Sequence, residues 1–303
     1  MTLRRVATLL TAFDTHLESA RGATRQTRRE YGRYVREFLV DRSREARVDV
    51  ADLSARDLID FVTERAKHCK PGTAKLVATA LRSFLRFLQM RGLCDARLVA
   101  AVPTIANWKL ARLPKTLTPA QLRALLGACD RATPTGRRDY AMTVCLAQMG
   151  LRAGEVAQLM LDDIDWRAGT LRIAVGKSRR DSLLPLPAPI ARAIVAYLRR
   201  GRPPTPERRV FVHHRVAVGK GLTSGSVRAA IRRAFERSHE HVSSKGTHAL
   251  RHTAATRMLR AGASLKDLAD VLRHRSLDTT AIYAKVDLPQ LAAVALPWPR
   301  VRS

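Results

Sequence analysis

Apolar residues in this chain recur at three- and four-residue intervals in segment after segment, and one stretch alone alternates residue by residue. That pattern specifies a mainly α protein carrying a small antiparallel β-sheet. Near the N-terminus, Val6 to Phe13 is interrupted by Thr8 and Thr11 and followed by Asp14, which reads as an amphipathic helix rather than a signal peptide. Tyr31, Tyr34, Val35, Phe38 and Leu39 share one helical face. Ser54 followed by Asp57 resembles an N-cap, and Leu58, Phe61 and Val62 continue an apolar face behind it. After Pro71-Gly72, a long helix carries Leu76, Val77, Ala80, Leu81, Phe84, Leu85 and Leu88, with Gly92 as its C-terminal stop. The spacing makes these aromatic residues core rather than a base-stacking platform.

The segment from Pro103 to Thr118 has no clear period and reads as a linker. The expected boundaries are a helical unit over 1–105, a linker over 106–117 and a second unit over 118–303. Thr118-Pro119-Ala120-Gln121 then opens a helix with a capping box and proline in the first turn. A second helix ends near Gly150. The alternating stretch follows: Leu171, Ile173 and Val175 interleave with Thr170, Arg172 and Ala174, and Leu183 to Leu186 returns after a polar turn, which predicts a β-hairpin with a basic tip. Helices are expected again over 188–198, 226–238, 247–261 and 265–273, with a short last one carrying Tyr283.

Charge narrows the partner. The chain has 55 Lys and Arg against 26 Asp and Glu, a formal charge of +29. Such an excess favours a polyanion through counterion release from phosphates. Only ten of the basic residues are lysine, so part of the excess reflects an arginine-rich composition. Cys69, Cys94, Cys129 and Cys145 are far apart with no C-x-x-C pair, which argues against a zinc site or a disulfide framework and for buried, reduced thiols. No apolar run approaches bilayer length. A soluble protein working on nucleic acid in the cytoplasm, at the nucleoid, is the expectation.

Several short strings could carry chemistry on phosphate. His248 and Arg251, three apart, share a helix face, and Thr247 could cap that helix and set His248 in its first turn, where phosphate is attracted. Taken alone, H-x-x-R is more often a solvated basic face. His252 is expected on another face, as a structural hydrogen-bonding residue. Arg152 follows Gly150 at a helix junction, from which a guanidinium can reach out as a fixed fork for two phosphate oxygens; Glu155 could orient Arg152 or His248, or be an ordinary helix-surface carboxylate. Lys177 falls at the hairpin tip. Gly176-Lys177-Ser178 is not a P-loop, because Leu171 occupies the required upstream glycine position. A tyrosine hydroxyl such as that of Tyr283 needs a base or cations to act as a nucleophile at neutral pH.

Together these strings become specific. Leu250-Arg251-His252-Thr253, Ala255-Thr256, Leu272-x-His274-x-Ser276 and Thr279-Thr280-x-Ile282-Tyr283 follow one another in order, with Gly150-Leu151-Arg152-x-x-Glu155 upstream. In order and spacing they resemble the tyrosine recombinase (phage integrase) family from about Thr118 to the end of the chain. The resemblance implies that Tyr283 attacks a scissile phosphate to form a 3′-phosphotyrosine. It further implies that Arg152 and Arg251 hold the non-bridging oxygens, Lys177 protonates the 5′-oxygen, His248 assists proton transfer at the nucleophile and His274 binds a phosphate oxygen. Glu155 would support them. No cofactor is implied, since the phosphotyrosine keeps the bond energy and religation needs neither ATP nor metal. Residues 1–105 would be the core-binding domain and 118–303 the catalytic domain with its tail, the two clamping DNA from opposite sides. The partner would be double-stranded DNA with inverted-repeat recombination sites, bound by a tetramer on paired sites, with accessory recombinases or DNA-bending proteins as possible helpers. The outcome could be integration, excision, resolution or transposition of mobile DNA.

The chain departs from the family pattern in three places: Arg273 stands where glycine commonly precedes the histidine, Val156 replaces a frequent leucine, and Ser178-Arg179-Arg180 replaces a glycine-containing turn. The tail from Asp287 to Ser303 has an apolar pattern that suits packing on a neighbouring protomer or on its own chain. The sequence admits other readings. A type IB topoisomerase shares the phosphotyrosine step without exchanging partners. A metal-dependent nuclease or transposase could use Asp162, Asp163 and Asp165, and a DNA-binding regulator would not cut at all.

Overall fold

The structure, a computed structural model, describes residues 3–45, 50–106, 114–173, 181–273 and 280–284. The chain divides into two compact units, Met1–Trp108 and Lys109–Ser303.

The first unit is helical: α1 (Leu3–Ser19), α2 (Arg25–Glu45), α3 (Ala55–Lys67), α4 (Pro71–Met90) and the short α5 (Arg97–Ala101), which the apolar pattern did not announce. α4 is the axis, and α1, α2 and α3 pack against it. Val77, Ala80, Leu81, Phe84, Leu85 and Leu88 are all buried on it, the face that the periodicity predicts. The aromatic residues are core: Phe13 meets Phe84 edge-on at 5.3 Å. Ser54 and Asp57 form a full capping box at the start of α3. At the end of α4, Leu93 N–H donates to Leu88 O and Gly92 N–H to Gln89 O, a Schellman pair that needs the positive φ of Gly92 (66°).

The second unit holds α6 (Pro119–Gly127), α7 (Pro134–Met149), α8 (Ala153–Gln158), a three-stranded sheet, α9 (Ala188–Arg200), α10 (Ser224–Arg237), α11 (Thr247–Arg260), α12 (Leu265–Leu272) and α13 (Ala281–Ala284). α7 runs through the centre, packed on α9 and α11, with Ala141, Met142, Val144, Cys145, Leu146 and Ala147 buried along it. The capping box of Thr118 and Gln121 opens α6 as expected. The sheet order is β1 (Ile164–Asp165), β2 (Thr170–Ile173), β3 (Ser182–Pro185), all antiparallel, with Leu171 opposite Leu184. The hairpin is present, and the two-residue β1 is an addition that its length hid from the pattern. Leu171, Ile173 and Leu184 point into the core while Arg172 points out, so alternation sets the buried face.

Two expectations change. Only Cys129 and Cys145 are buried; Cys69 and Cys94 are half-exposed, because both sit just beyond helix ends. The N-cap of α11 is Gly246, not Thr247, which is buried as the first helical residue. His248 keeps its place in the first turn. Among the described residues, no helix is long and apolar enough to cross a membrane.

Candidate active site

A cleft of about 730 Å³ opens where α8, α10, α11 and β2 meet, and Arg152, His248 and Arg251 line it together with Arg172 and Arg228. Segments about a hundred residues apart thus bring three of the expected residues to one place.

The junction before α8 explains Arg152. α7 ends on Gly150 with φ 64° and ψ 25°, and the chain turns at once so that Arg152 becomes the N-cap of α8. Glu155 secures the turn: its carboxylate accepts from Arg152 N–H at 2.7 Å and from Arg152 Nη1 at 2.8 Å. Arg152 Nη2 also donates to Arg273 O at 3.0 Å. The guanidinium is therefore pre-oriented while 41% of the side chain remains open to solvent, enough to meet a ligand.

Arg251 is deeper. Its Nη1 donates to Gly150 O and its Nη2 to Leu272 O, so one guanidinium ties the ends of α7 and α12 to α11. Burial, then the nearby Arg152, pushes its pKa down to about 10, which still leaves it cationic at neutral pH. Arg251 also lines the cleft. His248 lies beside it. Burial first, then Arg251, Arg228 and Arg152, hold the His248 pKa below its ordinary value and favour the neutral ring.

Arg273 gains a role that its sequence position did not suggest. It ends α12 in the left-handed region, φ 54°, where glycine is the easy residue. Its side chain turns inward, with Nη2 donating to Glu155 Oε2 at 2.7 Å and Nη1 to Val271 O at 2.7 Å. Burial would raise the Glu155 pKa, but hydrogen bonds and charge from Arg273, then Arg152, outweigh it and hold the carboxyl below its usual range. The departure from glycine adds a buried cation behind Arg152.

Tyr283 sits on α13, as expected. It is 2% exposed and packs with Ala255, Leu259, Leu268 and Leu272. Its hydroxyl lies 2.7 Å from His252 Nδ1. Burial raises the phenol pKa, and Arg251 and Arg152 oppose that rise. His252 is the hydrogen-bonding residue expected, but it lies on the face of His248 and not on another one. His248, Arg251 and His252 fall at positions i, i+3 and i+4, and that spacing was the available signal. Lys177 and His274 lie outside the described residues, as do the Ser178-Arg179-Arg180 turn and the tail.

The acidic trio is occupied by protein groups. Asp163 accepts from Met160 N–H and pairs with Arg172 at 3.0 Å. Asp162 pairs with Arg208, and Asp165 caps the N–H groups of Arg167 and Ala168. These carboxylates shape the turn into the sheet.

Residues 115–288 match the phage integrase family, and residues 10–92 match the phage integrase N-terminal SAM-like domain. A Sinorhizobium fredii protein named as an integrase/recombinase is 44% identical over 288 residues, 95% of this chain and 70% of that one. Tyrosine recombinase XerD of Mycobacterium tuberculosis is 31% identical over 320 residues, 99% of this chain and 100% of that one. The chain belongs to the phage integrase family. It is thereby a member of the tyrosine recombinases, enzymes that cleave and rejoin DNA. The fold agrees. XerH recombinase, solved on a palindromic difH substrate, superposes with a TM-score of 0.71 at 20% identity, covering 93% of this chain and 84% of that one. A lambda integrase fragment, solved as a dimer on a core site, gives 0.70 at 19% identity, covering 100% and 99%. In this integrase Arg152, Arg251 and His248, whose ring is biased toward the neutral form, face one cleft.

Proposed function

We propose that this integrase cuts and rejoins DNA at specific sites through a 3′-phosphotyrosine on Tyr283. In this reading, Arg152 and Arg251 bind the two non-bridging oxygens and stabilise the charge that develops on them. His248 contributes from the same cleft. Lys177 delivers a proton to the departing 5′-oxygen, and His274 binds a phosphate oxygen. The observation that carries the reading is the convergence of Arg152, His248 and Arg251 on one cleft, while the Tyr283 hydroxyl is hydrogen-bonded to the helix that supplies two of them.

Both units contact double-stranded DNA, the N-terminal helices as the core-binding domain and the remainder as the catalytic domain. The formal charge of +29 supports such a partner. The recombination sites are inverted repeats, and four protomers act on a pair of them. Two related structures have been solved on DNA, XerH on difH and a lambda integrase tetramer on a Holliday junction.

Covalent trapping tests the proposal. The full chain is incubated with nicked duplexes tiled across the DNA flanking its gene, in EDTA, and resolved in SDS. Wild type should give a protein–DNA adduct on one fragment and Tyr283→Phe none. An adduct that persists in Tyr283→Phe, or none on any fragment, counts against it. A strand exchange between two trapped sites then separates recombination from cleavage alone.

A further inference from the structure

We propose that His252 is the group that takes the proton from Tyr283 as the phosphotyrosine forms, a role that rests on the function proposed above. The resemblance alone would give this task to His248. The geometry points one turn further along α11. His252 Nδ1 is 2.7 Å from the Tyr283 hydroxyl, a normal distance for an O–H···N bond. The ring centroids are 5.5 Å apart and inclined by 58°, so the contact is made through the ring edge rather than by stacking. His248 lines the cleft instead, with its ring centroid 6.5 Å from that of His252.

The charges around the pair support the direction of transfer. His252 is half-buried on α11, and burial, followed by His248 and Arg251, lowers its pKa, which favours the neutral ring that can accept. Burial keeps the phenol protonated, and Arg251 on α11 and Arg152 at the start of α8 face it and favour the phenolate once the proton moves. Arg273 at the end of α12 and Glu155 on α8 stand behind Arg251. In the step, the Tyr283 O–H proton moves to His252 Nδ1 as the phenol oxygen forms its bond to phosphorus. The bond from phosphorus to the 5′-oxygen breaks with its electron pair, and that oxygen takes a proton from the acid on its side. Religation reverses the step: the 5′-hydroxyl displaces Tyr283, and the imidazolium returns the proton to the phenol. Because the base touches the nucleophile and not the phosphate, His248 is left to the phosphate.

Single-turnover cleavage of the nicked fragment that gives the wild-type adduct is the test, run on the full chain from pH 5.5 to 9.5. A positioned base contributes on the order of 100- to 10,000-fold. His252→Ala should lose at least about 100-fold at pH 7, and its rate should climb about tenfold per pH unit while wild type levels off. A substrate with sulfur in place of the 5′-oxygen has a leaving group that needs no acid. It should restore Lys177→Ala and leave His252→Ala slow. His252→Asn, which fills similar space but takes no proton, covers the case in which alanine disturbs the fold. An unchanged rate in His252→Asn overturns the proposal, as does rescue of His252→Ala by sulfur. So does faster adduct formation in His252→Ala, which would make His252 a latch that holds Tyr283 down. Failure of wild type to form any adduct sinks the phosphotyrosine reading instead. The pair can also be read without DNA: histidine 15N shifts at pH 7.5 should show His252 with its proton on Nε2 and change in Tyr283→Phe. A proton on Nδ1 rejects the assignment.

Discussion

Replacing Arg273 by glycine sets two effects of opposite sign against each other. At φ 54° an arginine backbone is strained, and glycine relieves about 1 kcal/mol of that. The same change removes the partner of a buried carboxylate. Arg273 is 4% and Glu155 11% exposed on their side chains, so the 2.7 Å pair is shielded from water. Breaking such a pair by deleting one member costs about 3–5 kcal/mol, because the other charge is left behind. Glu155 retains the Arg152 side chain and the Arg152 N–H, and repulsion between Arg273 and Arg251 disappears, both of which favour the lower end of that range. Subtracting the relieved strain leaves a net loss of about 2 kcal/mol at pH 7.

The pH dependence identifies the cause. A carboxyl whose folded pKa is depressed contributes stability that is present above its unfolded pKa, near 4.5, and lost as pH falls through the folded value. Wild type should therefore lose its advantage over Arg273→Gly as pH drops below about 4.5. Urea unfolding of the full chain, followed by circular dichroism at pH 7 and pH 4, reads both numbers. If Arg273→Gly equals or exceeds wild type at pH 7, backbone strain outweighs the ion pair and the reasoning fails. A loss that is the same at both pH values would show that packing, not the Glu155 charge, sets the cost.

Two further perturbations probe the same corner. Gly150→Ala places a Cβ 2.6 Å from Leu272 Cδ2 in a residue with φ 64°; it should cost about 1–3 kcal/mol in the same urea assay, and a neutral result would mean that the α7–α8 junction relaxes freely. Arg228→Ala removes a cation lining the cleft, and gel-shift titrations over a salt series should show weaker DNA binding on every sequence and a salt slope shallower by about 1. An unchanged slope would remove Arg228 from the phosphate contacts.

The outline of the fold was legible because both periods were clean. The N-cap at Ser54, the capping box at Thr118, the helix ends at Gly92 and Gly150 and the hairpin of β2 and β3 all follow from local chemistry that a sequence carries openly. β1 and α5 were not legible, since two and five residues give a period too little length to show. In the site, Arg152, His248 and Arg251 could be named but not joined. What joins them is long-range: Arg251 donating to Gly150 O and Leu272 O, and Arg273 reaching Glu155 across more than a hundred residues. Arg273 looked like a loss of glycine because a backbone preference is written in one residue, whereas its compensating ion pair is written in two distant ones.

α11 connects the cleft with the surroundings of Tyr283. Its inner face buries Leu250, Ala254 and Ala255 against the body of the unit, which sets the rotation of the helix. With that rotation set, His248 and Arg251 must meet the cleft, and His252, one turn beyond His248, must meet Tyr283. Arg251 in turn grips the last carbonyl of α12, the helix whose Leu268 and Leu272 pack on Tyr283. The groups that line the cleft and those that surround Tyr283 are thus linked through a single guanidinium and a single helix. Substitutions that loosen the Arg251 grip should therefore disturb the tyrosine environment before any DNA is bound, and the His252 15N signal would report it.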